Sequence, residues 1–191
     1  DECHEVTCIP SAMLKGEISD ERFHSLLQII SKSEPDAIIH TAAISSTTYS
    51  EKYPDESYTA NVKLPMIMAK LAVYNKCKLV SCSSDQVYSG CGGDEPHSET
   101  EEVVPANVYG RHKLEAEQRI LDICPDAVSL RMTWMYDLPV YKTRTNNNFV
   151  LDLFKSIITC NASKYSVNEF RGITYVRSVA ENITGTLSLP G

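Results

Sequence analysis

The sequence predicts an α/β fold built on a mostly parallel sheet, and three observations carry that prediction. Short apolar runs at 35–43, 77–84 and 126–136 read as strands, the first two buried on both faces. Between them lie longer runs in which apolar residues recur at helical spacing. Strands and helices therefore alternate, which implies βαβ units with helices on both faces, a doubly wound architecture.

Each element has its own signal. Residues 4–10 (HEVTCIP) are rich in β-branched side chains and read as a short strand. A helix is predicted over 19–33, where Phe23, Leu26, Leu27 and Ile30 share one face behind a Ser19-Asp20 start signal. Pro35-Asp36 forms a turn feeding the strand that ends at His40-Thr41-Ala42-Ala43. Residues 55–75 carry a long helical pattern, and Pro65 predicts a kink or a break near Leu64. The remaining expectations are a strand at 77–84, a helix at 107–123, one strand at 126–136, and helices at 146–159 and 178–188.

Bulk properties narrow the function. A length of 191 residues suits one domain with a sizeable core. The net charge of −7, with Lys and Arg scattered singly, argues against a nucleic-acid surface. Seven cysteines follow no framework or Cys-x-x-Cys spacing, so no metal site is predicted and a reducing compartment fits best. Asn161-Ala-Ser163 and Asn182-Ile-Thr184 match a glycosylation sequon that arises often by chance. No run approaches 18 apolar residues and no signal peptide opens the chain; a soluble, cytoplasmic protein with no membrane partner is expected.

In an open parallel sheet the ligand crevice lies beyond the carboxyl ends of the strands. Those ends are His40-Thr41-Ala42-Ala43, Ser83-Ser84-Asp85 and Arg131-Met132-Thr133-Trp134. Ala42 and Ala43 either pack against a helix or let a flat ligand approach the backbone. Ser83 and Ser84 are either turn residues bonding their own backbone or groups that face a substrate. Tyr109 and Lys113, four residues apart, share the face of a helix that continues to Ala116 and Ile120. A phenol titrates near pH 10, too high for proton transfer at neutral pH, and a neighbouring ammonium favours the phenolate. The spacing alone is common; its place after a buried strand ending in Ser-Ser gives it meaning.

The segments HTAA, SCSSDQVYSG, DEPHSETEEVVPANVYGRHKLEAEQ, LRMTWMYD and NNNFV, in that order, resemble the extended short-chain dehydrogenase/reductase family. Within it they are most similar to the dTDP-4-dehydrorhamnose reductase branch, over residues 4 to 188. The resemblance implies a Rossmann-like domain over 1–191, with 137–177 contributing to the substrate side. It implies Tyr109 as the acid that protonates the C4 oxygen, Lys113 as the group that lowers its pKa and bonds the nicotinamide ribose, and Ser84 in the family's catalytic Ser/Thr position. Ala42, Ala43, Asn61, Ser83 and Met132 would then serve the cofactor with Tyr109 and Lys113. Ser84, Asp85, Thr133, Trp134, Asn147, Asn148 and Phe149 would serve the nucleotide-sugar.

The implied reaction is hydride transfer from NAD(P)H to C4 of a 4-keto-deoxysugar nucleotide, in dTDP-rhamnose biosynthesis, by a possible homodimer. CIPSAMLKG, with Lys15 and no acidic residue, leans toward NADPH. The family's Gly-x-x-Gly-x-x-Gly turn and first βα unit are not in this sequence, and much of the C-terminal substrate region is also missing; a longer natural chain is expected. Arg177-Ser178 stands where the family has an acidic residue. Two other readings keep the fold: a nucleotide-sugar epimerase or dehydratase, and a non-catalytic regulatory subunit like that of methionine adenosyltransferase.

Overall fold

A computed structural model describes residues 4–93, 95–139, 148–162, 164 and 172–190. These form two compact units, residues 1–131 with 187–191 and residues 132–186.

Unit 1 is built around a three-stranded sheet in the order β1 (Ala37–His40), β2 (Lys78–Ser84), β3 (Val128–Met132). β1 and β2 run parallel, with Ala37 opposite Lys78 and His40 opposite Ser81. Parallel neighbours need a long crossover, and the chain supplies it through α2 (Thr47–Lys52), α3 (Pro54–Tyr58), a π-helical turn (Thr59–Lys63) and α4 (Leu64–Asn75). α1 (Asp20–Ser33) precedes β1, and α5 (Val108–Ile123) connects β2 to β3. α1 begins as its sequence predicts, with the Ser19 hydroxyl accepting from the Arg22 amide. It ends at Glu34, whose φ of 45° lies in the left-handed region.

The core gathers Leu26 and Ile30 of α1, Leu64, Met68 and Leu71 of α4, Leu79 of β2 and Ile120 of α5. Pro65 produces the expected irregularity. A proline lacks the N–H that an α-helix would use there, and the chain winds as a π turn just before it, with the Leu64 amide bonded to the Thr59 carbonyl five residues back.

Three expectations are corrected. Residues 4–10 form no strand and are largely exposed, because no neighbouring strand among the described residues offers them a ladder. β1 is not buried on both faces: Ile38 packs on the core, but Ile39 is 45% exposed on the edge strand of the sheet. The run 126–136 is two strands, interrupted at Thr133, which pair in different sheets.

In unit 2, β4 (Trp134–Tyr136) pairs parallel with β5 (Ile173–Tyr175), the Trp134 amide donating to the Gly172 carbonyl at 3.2 Å. The Thr133 and Thr174 hydroxyls lie 2.6 Å apart. α6 (Phe149–Thr159) is capped by Asn148, whose side chain accepts from the Leu151 amide and donates to the Asp137 carbonyl. Residues 146 and 147 of the predicted helix lie outside the described residues. α7 (Val176–Asn182) passes into a 3-10 turn at 183–188, matching the last predicted helix.

Leu79 is wholly buried, so Leu79→Ala is expected to cost about 2–5 kcal/mol in urea unfolding. Truncating the exposed Val73 should move the midpoint little.

Candidate active site

The site grows from the way α5 docks on β2. Asn107 caps α5, its side-chain oxygen accepting from the Gly110 amide at 2.8 Å. Gly110 lets the helix start against the 3-10 turn that follows β2 (Asp85–Tyr88), since a Cβ there would collide with the Gln86 carbonyl oxygen. One turn in, Lys113 is only 3% exposed and donates from Nζ to the Cys82 carbonyl at 2.8 Å. Tyr109 is 6% exposed, with the Lys113 ammonium 5.8 Å from its ring centroid and the Ser84 hydroxyl near enough to its phenol to influence its ionisation. Ser84 also accepts from the Gln86 amide and donates to Asp85 Oδ1, each at 3.2 Å. The three residues expected to act together therefore meet at the end of β2.

Their protonation differs from the expectation in one respect. The Tyr109 phenol is raised above the usual tyrosine value, not lowered. Burial is the main cause; the nearby Ser84 hydroxyl pulls the other way, while Asp85 and Cys82 add to the rise. Lys113 is pushed down to about 8 by burial, against the attraction of Cys82 and Glu117. Desolvation outweighs the pairwise attraction that the spacing suggests. The consequence is a phenol that keeps its proton at neutral pH.

Other predicted residues take varied places. Ala42 is half-buried on the core and Ala43 is exposed, so both follow β1 as small residues at the strand end. Asn61, in the π turn, is wholly buried; its amide donates to the Ile44 carbonyl and to Ser57, and accepts from the Ile44 amide. It holds the loop carrying Ala42 and Ala43. The Ser83 hydroxyl donates to Glu117 of α5. Met132 is the last residue of β3, and Thr133, Trp134, Asn148 and Phe149 belong to unit 2, where Trp134 and Phe149 are exposed and Asn148 caps α6. Asn147 lies outside the described residues.

Sequence reasoning gave no role to three polar groups, of which Glu117 and His40 are buried and Arg131 is partly exposed. Glu117 continues the Tyr109–Lys113 face by one more turn, and Arg131 is a charge at the end of an apolar run; both patterns are readable signals. His40 is 4% exposed at the end of β1 and its Nε2 has no partner. Nothing in the sequence marks that burial.

The chain matches the family described as RmlD substrate binding domain over residues 5–188. It belongs to that family. The dTDP-4-dehydrorhamnose reductase of Salmonella typhimurium is 31% identical over 121 residues, 63% of this chain and 40% of that protein. The spore coat polysaccharide biosynthesis protein SpsK of Bacillus subtilis is 25% identical over 187 residues, 98% of this chain and 62% of that one. Among solved structures, dTDP-4-dehydrorhamnose reductase from Bacillus anthracis, in complex with NADP, has a TM-score of 0.73 at 25% identity, covering 88% of this chain and 57% of that one. The α/β fold is thus Rossmann-like, and this RmlD-family chain spans between 40% and 62% of the length of these relatives. No helix among its described residues is long and apolar enough to cross a membrane.

His40 makes acid the weak side of this fold. Its imidazole is held down to about 4, first by burial and then by the Lys113 charge, against an ordinary 6.5. Below pH 6.5 the unfolded chain takes up a proton that the folded chain refuses. The stability that depends on neutral His40 is full above that pH and is lost as pH falls toward 4, on the order of 3 kcal/mol. Urea unfolding across this window should show a slope that His40→Gln flattens.

Proposed function

We propose that this RmlD-family chain carries the acid and nicotinamide half of an NAD(P)H-dependent reductase acting on the C4 keto group of a nucleotide-activated deoxysugar. The observation that carries the proposal is the buried meeting of Ser84, Tyr109 and Lys113, with Tyr109 held in its protonated form. A reduction needs a proton donor, and a phenol raised by burial is in the donor form at neutral pH. The Salmonella typhimurium and Bacillus anthracis relatives support the substrate class, and the NADP complex supports the cofactor class.

The residues present fit the nicotinamide end of such a cofactor. Lys113 offers a buried ammonium suited to ribose hydroxyls, and small side chains at Ala42 and Ala43 leave the strand end open to a flat ring. When bound, the reduced nicotinamide supplies the hydride that adds to C4. Tyr109 gives its proton to the oxygen that becomes an alkoxide, and the Ser84 hydroxyl holds that same oxygen. Lys113 offsets the negative charge left on the phenol. Met132, Thr133, Trp134, Asn147, Asn148 and Phe149 are assigned to the nicotinamide border and the sugar nucleotide by the family likeness.

The test is NADPH and NADH oxidation by the natural full-length protein with dTDP-4-dehydrorhamnose. Tyr109→Phe should lower kcat by about 100-fold or more with an unchanged circular dichroism spectrum. Absence of turnover by the wild type with any 4-ketosugar would falsify the reductase reading. A second outcome follows from Lys113. As pH rises through about 8 its charge is lost, and with it the stabilisation of the phenolate, so kcat should decline above that pH while Tyr109 remains protonated. A rate that stays flat well beyond that point would remove Lys113 from the mechanism.

A further inference from the structure

Tyr109, Lys113 and Glu117 stand at i, i+4 and i+8 on α5, so one helical face carries an acid, a cation and a carboxylate. Glu117 is 7% exposed. A carboxylate at that depth is costly unless every oxygen is matched. The Arg131 guanidinium forks onto it, Nε lying 3.2 Å from each oxygen and Nη2 2.9 Å from Oε2, while Ser83 donates its hydroxyl to the same carboxylate. The Glu117 hydrogen bonds in turn raise the Arg131 pKa further.

The remaining arm of Arg131 faces the other way. Its Nη1 donates to the Tyr88 hydroxyl at 2.6 Å and to the Glu99 carbonyl at 3.3 Å, and the guanidinium lies 5.0 Å from the centre of the Tyr88 ring. Tyr88 stacks flat on His97 at 4.7 Å and donates to the Ser98 carbonyl. One guanidinium thus joins β3, α5, the turn that follows Ser84 and the acidic loop at 95–106.

We propose that Glu117 and Arg131 form a positioning pair that sets how α5 sits along β2, so that Tyr109 meets Ser84, and that anchors the acidic loop to the same arrangement. Two contacts define the seat of α5 on the strand end: Lys113 on the Cys82 carbonyl and Glu117 on Ser83, the residue before Ser84. Only the second is tied through Arg131 to β3 and to the loop. Neither residue of the pair is assigned contact with a substrate. The inference rests on the proposed reductase reading for its effect on rate, though not for its geometry.

The test follows the Tyr109 phenol directly. In the intact protein labelled with 13C at tyrosine Cζ, titration reports the ionisation of Tyr109 whether or not the protein turns over. Arg131→Lys keeps the charge and loses the fork; Ser83→Ala removes one hydrogen bond and leaves Glu117 paired. Both should weaken the contact between Ser84 and Tyr109 and move the Tyr109 midpoint upward, the lysine variant further. In turnover assays Arg131→Lys should lower kcat by about 100-fold, as a misplacement near 1 Å does, with a smaller change in KM. Midpoints that coincide with the wild type, alongside a lower melting temperature, would overturn the proposal and leave the pair purely structural. If Arg131→Lys does not fold, the Ser83→Ala midpoint decides alone. A wild type that reduces no 4-ketosugar ends the reductase reading, and the titration still decides the pair.

Discussion

One buried ammonium sets the terms for the site. Lys113 is shut away from water, and its Nζ must find acceptors inside the protein. The Cys82 carbonyl supplies one at 2.8 Å, which requires α5 to run along the carboxyl end of β2. Helical spacing then presents the neighbours on the same face, and the Glu117–Arg131 pair holds the far end of that face. Tyr109, one turn earlier, reaches Ser84; Glu117, one turn later, reaches Ser83. The chemistry and its scaffold thus share a single helix face.

Close approach is needed on both sides of this contact. Gly110 removes the Cβ that would strike the Gln86 carbonyl, so the residue following Tyr109 has a steric reason to be glycine. On the far side, Asn61 ties Ile44 to Ser57, and Ser57 lies 3.0 Å from both Ser50 and His112 Nδ1. The loop after β1 is therefore linked to α5 by a chain of polar groups, buried at Asn61, Ser57 and Ser50 and half-buried at His112. Such a chain is stable only when all its members are satisfied, and here the π turn ahead of Pro65 carries Asn61 at its centre.

Much of the local structure was legible. Ser19 before an apolar 3.6-residue pattern predicted α1, and the apolar run KLVSCSS predicted β2. The break at Pro65 was anticipated because proline lacks a donor, although only the structure shows that the helix responds with a π turn. Strand identity was less legible. Residues 4–10 have the composition of a strand, yet a strand exists only with a partner. The run 126–136 gave no sign that Thr133 would divide it between two sheets. On the site, Ser84, Tyr109 and Lys113 were readable from order and spacing, whereas Glu117 and Arg131 were given no role, because their pairing joins two elements that meet only in the folded chain.

By itself the sequence determined which residues are candidates for the chemistry and which helix presents them, because side-chain type, caps and periodicity are local properties. It also determined family membership through segments spread along nearly the whole chain. Tertiary structure alone decided the electrostatics. Spacing suggested that Lys113 would lower the Tyr109 pKa; burial of both groups produced a raised phenol and a weakened ammonium instead. A sequence shows which charges stand near one another along a helix. How much water remains around them depends on what packs over that helix, and desolvation is the larger effect here.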